Sequence, residues 1–83
     1  MFLVLHVLTT EKAVGAIEKE NKLTFIVMEK STKPELKKEI ETRFGEKVEK
    51  ITTIFAPNGR KKAMVRFKRP GAASDLAARL KVI

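Results

Sequence analysis

The sequence has no cysteine, tryptophan or tyrosine, one histidine, and a single acid in its last third, Asp75. Without cysteine, neither a disulfide framework nor a thiolate metal site can form, which fits a reducing compartment. The one histidine, His6, stands inside an apolar run and reads as a core or edge residue. No Ser/His/Asp set and no His pair at metal spacing exists. The chain therefore offers no catalytic residue, no metal site and no cofactor site. The four glycines are expected at turns and helix ends, and none belongs to a phosphate-cradling loop. The longest apolar run, Phe2 to Leu8, is too short to span a bilayer. It also lacks the basic start and small-residue cleavage site of a signal peptide. No repeat, low-complexity stretch or linker interrupts the chain, so residues 1–83 read as one soluble, intracellular domain. A chain of this size buries only roughly 60–65% of its unfolded surface, so every element must contribute to a modest core.

What is present in excess is positive charge. The formal net charge is +8. Residues 1–50 hold ten Lys/Arg against nine Asp/Glu, and residues 51–83 hold eight against one. The excess sits on a hairpin: two apolar runs, from Ile51 and to Phe67, flank Asn58-Gly59, the dipeptide suited to a two-residue type I′ turn. In the second arm Ala63, Val65 and Phe67 point one way, and Lys62, Met64, Arg66 and Lys68 the other. Arg60, Lys61, Lys62, Arg66, Lys68 and Arg69 form a cationic run with no acid among them. One or two lysines would protect a strand edge from aggregation. A run this dense points instead to a polyanion, nucleic acid first. The outward face of this arm has no aromatic, which favours recognition of the backbone and shape of folded RNA over base reading.

The remaining pattern gives β-α-β-α-β-β-α. Phe2 to Leu8 reads as a first strand. Thr9 and Thr10 are candidate caps for a helix carrying Ala13, Val14 and Ile17 and ending near Asn21. Leu23 to Met28 is apolar on both sides, as a central covered strand would be. Thr32 with Glu35 forms a capping box around Pro34, and Leu36, Ile40 and Phe44 make the inward stripe of a second helix closed by Gly45. Its charged residues read as a solvated face, with support such as Glu39 to Arg43. Val48 begins the third strand, which runs through Ile51, Thr53 and Phe55. After Pro70-Gly71, Ser74 or a neighbour caps a last helix with Leu76, Ala77 and Leu80 inward and Arg79 and Lys81 outward. This order indicates an α+β domain with a largely antiparallel sheet.

Several of these segments together resemble one family. Thr10-Glu-Lys-Ala13, Glu18-Lys-Glu-Asn-Lys-Leu-Thr-Phe-Ile-Val27, Thr32-Lys-Pro-Glu-Leu-Lys37, Val48-Glu-Lys-Ile-Thr-Thr53 and Gly59-Arg-Lys-Lys-Ala-Met-Val65 are similar to the large-subunit ribosomal protein L23 family, in its archaeal form with a short hairpin. Two departures stand out: Thr52-Thr53 replaces the usual Asn-Thr pair, and Met64 stands where an aromatic is common. The resemblance implies a four-stranded antiparallel sheet in the order 1-2-4-3 with helices on both faces. It implies binding to large-subunit rRNA beside the peptide exit tunnel, next to other ribosomal proteins in the cytoplasm. It also implies a share in the docking platform for nascent-chain factors such as signal recognition particle. Carried over by motif, and with the basic arm added, the implied rRNA contacts are Lys12, Asn21, Lys22, Thr32, Lys33, Thr53, Asn58, Gly59, Arg60, Lys61, Lys62 and Arg66. Glu11 is the implied factor contact. With only about four residues bridging the strands, the hairpin should not line the tunnel deeply. The alternative is a free basic RNA- or DNA-binding module outside the ribosome. An acidic-membrane binder fits less well, because the cations lie on a strand pair and not on an amphipathic helix.

Overall fold

A computed structural model describes residues 3–8, 10–56 and 59–80. The expectations for Phe2, Thr9, Asn58, Lys81 and the Glu11 side chain fall outside the described residues. The chain runs β1 (Val4–Val7), α1 (Glu11–Glu20), β2 (Lys22–Val27), α2 (Lys33–Phe44), β3 (Val48–Phe55), β4 (Lys61–Phe67), α3 (Ala72–Arg79). The strands form one antiparallel sheet in the order β1-β2-β4-β3, as expected.

Local chemistry sets most boundaries. The Thr10 hydroxyl accepts the Ala13 N–H at 3.2 Å and opens α1, and Asn21 closes it in the left-handed region at φ 55°. At α2 the Glu35 N–H donates to the Thr32 hydroxyl while the Glu35 carboxylate accepts the Thr32 N–H, completing the capping box. Gly45 ends α2 at φ 72°, a conformation that favours glycine. α3 corrects the expectation twice. It starts at Ala72 directly after the left-handed Gly71, so Ser74 lies inside the first turn and is not the cap. A free donor of that turn, the Ala73 N–H, is instead taken by the Asn21 side-chain oxygen at 3.0 Å. Leu80, expected inward, is 38% exposed, because the helix ends at Arg79 and Leu80 leaves its inward stripe.

Alternation builds the core. Leu23, Phe25 and Val27 of β2 and Ala63, Val65 and Phe67 of β4 are buried on the first face of the sheet. They join Leu36 and Ile40 of α2 and Ala72, Ala73, Leu76 and Ala77 of α3 in one cluster. The Phe44 ring stacks on Phe25 with centroids 5.9 Å apart. Thr24 and Ile26, on the opposite side of β2, are buried too, so β2 is the doubly covered strand its sequence suggests. α1 sends Ile17 into the main cluster, while Ala13 and Ala16 border a groove with Thr24 and Met64 of the second face. Helices thus flank both faces.

The hairpin connection is longer than the two-residue turn expected. The Gly59 N–H donates to the Ala56 carbonyl at 2.9 Å, and the Ala56 N–H donates to the Arg60 carbonyl at 2.7 Å. The strand register ends at Phe55 opposite Lys61, so three residues, not two, separate the closing pair Ala56 and Arg60. The loop between the strands is residues 56–60.

Candidate nucleic-acid interface

The second face of the sheet is a grid set by strand register. Lys22, Arg66 and Lys50 lie opposite one another across β2, β4 and β3. Thr24, Met64 and Thr52 form the next row, and Ile26, Lys62 and Ile54 the row nearest the hairpin. Three cations side by side repel, and like charges directly opposed on a sheet are destabilising, where an opposite-charge pair would contribute roughly 0.2–1 kcal/mol. Among the described residues, Glu20, 3.5 Å from the Lys22 ammonium, offsets one of them. Lys50 belongs to this row by the regular register of β3 on β4, one residue before the Ile51–Val65 pair; the irregularity lies beyond it, between Val48 and Lys50. It was not among the expected contacts, although alternation with Ile51, Thr53 and Phe55 assigns it to this face.

α1 and this face enclose a groove of about 180 Å³. Lys12, Lys22 and Lys62 rim it, and Ala16, Met64 and Ile54 supply apolar wall. Three of the expected contacts, far apart in sequence, are brought together here. At the hairpin end the Lys61 ammonium donates to the Ser31 carbonyl at 2.6 Å and sits 5.7 Å from the Phe55 ring centroid. That tie draws the hairpin beside the start of α2, where Thr32 and Lys33 are exposed. Gly59, at φ 83°, and Arg60 are exposed at the tip.

Other expected residues lie elsewhere. Asn21 is at the far end of the sheet, its amide donating to the Phe67 and Arg69 carbonyls at 2.9 Å each. Together with the Ala73 bond, these place its whole side chain in a clamp between β4 and α3. Thr53 is half-buried on the first face, opposite Ala63. The Thr32 hydroxyl is engaged in the capping box.

The cationic run is also less uniform than its sequence suggests. Arg69 forms a two-point bond with Glu46, at 3.1 and 2.6 Å, and reaches Asp75 at 2.8 Å. It is thereby neutralised, a correction to the reading of an uncompensated run. The bond to Arg69 holds Glu46 below the usual carboxylate range, and both acids push Arg69 upward. Glu41 is likewise lowered, chiefly by accepting the Val48 N–H at 2.9 Å. Glu39 accepts the Leu3 and Val4 N–H groups at 2.8 Å each. Acids that read as solvated helix faces are therefore fixing the strands.

Among the described residues, no group of three or more His, Cys, Asp or Glu is placed to hold a metal ion, and no helix is long and apolar enough to cross a membrane. The family profile described as Ribosomal protein L23 matches residues 3–77. The large ribosomal subunit protein uL23 of Pyrobaculum aerophilum is 40% identical over 81 residues, covering 98% of this chain and 100% of that protein. With this coverage and identity, the chain belongs to the Ribosomal protein L23 family.

Proposed function

We propose that this protein binds large-subunit rRNA through the second face of its sheet and its hairpin, beside the peptide exit tunnel. Membership of the family makes it a structural, non-enzymatic constituent of the large ribosomal subunit, with a cytoplasmic, ribosomal location and rRNA and ribosomal proteins as partners. The observation that carries the finer reading is the Lys22–Arg66–Lys50 row, with Lys12 and Lys62 around the adjoining groove. Such a row costs stability in the free protein and is repaid when phosphates neutralise it and release counterions. Arg60, Lys61 and Lys33 extend the contact around the hairpin, with Gly59 letting a backbone approach closely. The short loop of residues 56–60 supports a place beside the tunnel and not deep within it. Glu11, at the start of α1, is assigned to the docking platform for nascent-chain factors such as signal recognition particle.

Replacing Arg60, Lys61 and Lys62 together with Ala should lower rRNA affinity. It should also reduce the slope of log affinity against log salt by about 0.7–0.9 per lost phosphate contact. An unchanged slope would remove the hairpin from the interface. Sucrose-gradient fractionation separates a subunit constituent from a free nucleic-acid-binding module: protein found mainly off the large subunit would favour the latter.

A further inference from the structure

We propose that Phe55 is a stacking platform for an unpaired RNA base, an inference that rests on the rRNA-binding reading and adds base contact to it. Alternation directs Phe55 to the first face, where every other large apolar side chain of β2 and β4 is buried, yet Phe55 is 63% exposed. The reason is position. Phe55 lies on β3, the edge strand of the sheet, in the Val27–Lys61–Phe55 row, the last before the loop. Exposing a large aromatic ring in so small a domain forgoes burial the core could use.

The ring's neighbours fit a nucleotide. The Lys61 ammonium lies 5.7 Å from the ring centroid and is tied to the Ser31 carbonyl at 2.6 Å, with the Glu29 carbonyl 3.5 Å away. A cation fixed over an aromatic ring orients it and adds positive charge beside it. Arg60 is exposed at the adjoining turn. An aromatic ring next to cations is the arrangement that holds single-stranded nucleic acid: the base lies on the ring and its phosphate meets the charge. A base already splayed from a loop or bulge can reach the ring, whereas a base stacked within a helix cannot. Ile54 is 47% exposed on the opposite face of the same strand end, so it does not share the contact.

The chain has no Trp or Tyr, so Phe55→Trp introduces a single reporter. Its emission should be quenched on adding an RNA hairpin with an unpaired adenosine loop, and much less by the same stem as a blunt duplex. Phe55→Leu should weaken binding to the looped RNA about five- to a hundredfold. It should leave the salt slope and the duplex affinity unchanged. Its thermal midpoint should match that of the parent, since the ring is mostly exposed. Emission that stays constant while anisotropy shows saturated binding to the looped RNA would overturn the stacking role. The same result would follow if the ring faces another protein. If the unmodified chain binds neither RNA in anisotropy, the rRNA reading itself fails, a separate outcome.

Discussion

The two faces of this sheet make opposite use of the same strands. On the first face, Leu23, Phe25, Ala63, Val65 and Phe67 are sealed beneath α2 and α3. On the second, Lys62, Met64 and Arg66 leave the same strand, β4, into a half-open groove and toward solvent. One strand thus carries both demands in alternation, burial at Ala63, Val65 and Phe67 and charge at Lys62 and Arg66. The comparison separates residues that hold the fold from residues that tax it. A contact surface is sought among the second set.

The largest effect should come from the sealed face. Phe25→Ala removes a buried ring and its stack on Phe44, and should cost about 3–5 kcal/mol in urea unfolding. Met64→Ala, the comparable cut on the second face at a half-buried site, should cost about 1 kcal/mol or less. Equal losses from the two would mean that the second face is a second core.

Asn21→Ala should follow, at about 2 kcal/mol by the same measurement. It deletes three hydrogen bonds joining β2, β4 and α3, and puts alanine at φ 55°. This is also a sharp test of role, because Asn21 was expected to contact RNA. If its work is the clamp, RNA affinity of the folded variant should stay close to that of the parent.

A smaller effect should appear on acidification. Glu41 and Glu46 are held below the ordinary glutamate value of 4.5 in the folded chain. A lowered folded pKa gives stability that is present above the unfolded value and lost as pH falls through the folded one. The thermal midpoint should therefore hold near neutral pH and decline below about pH 4.5. Glu41→Gln should flatten that decline. An identical profile in the variant would show that the Val48 bond contributes nothing.

How much of this was legible depends on range. The caps at Thr10, Thr32 and Gly45, the doubly apolar β2 and the alternation of β4 all rest on neighbours a few residues apart, and the sequence pattern displays them. The clamp from Asn21 to Ala73, the grip of Glu39 on Leu3 and Val4, and the Arg69–Glu46 pair join residues 23 to 52 positions apart, which no periodicity records. The length of the turn was misread: Asn58-Gly59 signals a two-residue connection, but the closing pair is Ala56 and Arg60. Within the site, Lys12, Lys22 and Lys62 were named from the sequence, but their meeting in one groove required the fold. Phe55 hid in plain alternation, since its exposure comes with its place at the end of the edge strand, which only the strand order reveals.

The finest test reverses the sign of the first. Lys50 is exposed, opposite Arg66, and has no place in the core. Lys50→Ala relieves one repulsion and should raise stability by a few tenths of a kcal/mol in urea unfolding. The same change should weaken RNA binding and lower the salt slope by about 0.7–0.9, one phosphate contact. Lys50→Glu should stabilise the free chain further, by pairing with Arg66, and weaken RNA binding more. A core residue cannot behave this way, because its loss costs the fold whether or not RNA is present. A solvated edge charge cannot either, because its loss leaves RNA affinity alone. Only a residue retained against the interest of the free fold gains stability and loses affinity together. If both quantities move in the same direction at Lys50, the charge row is a feature of the sheet and not of the interface.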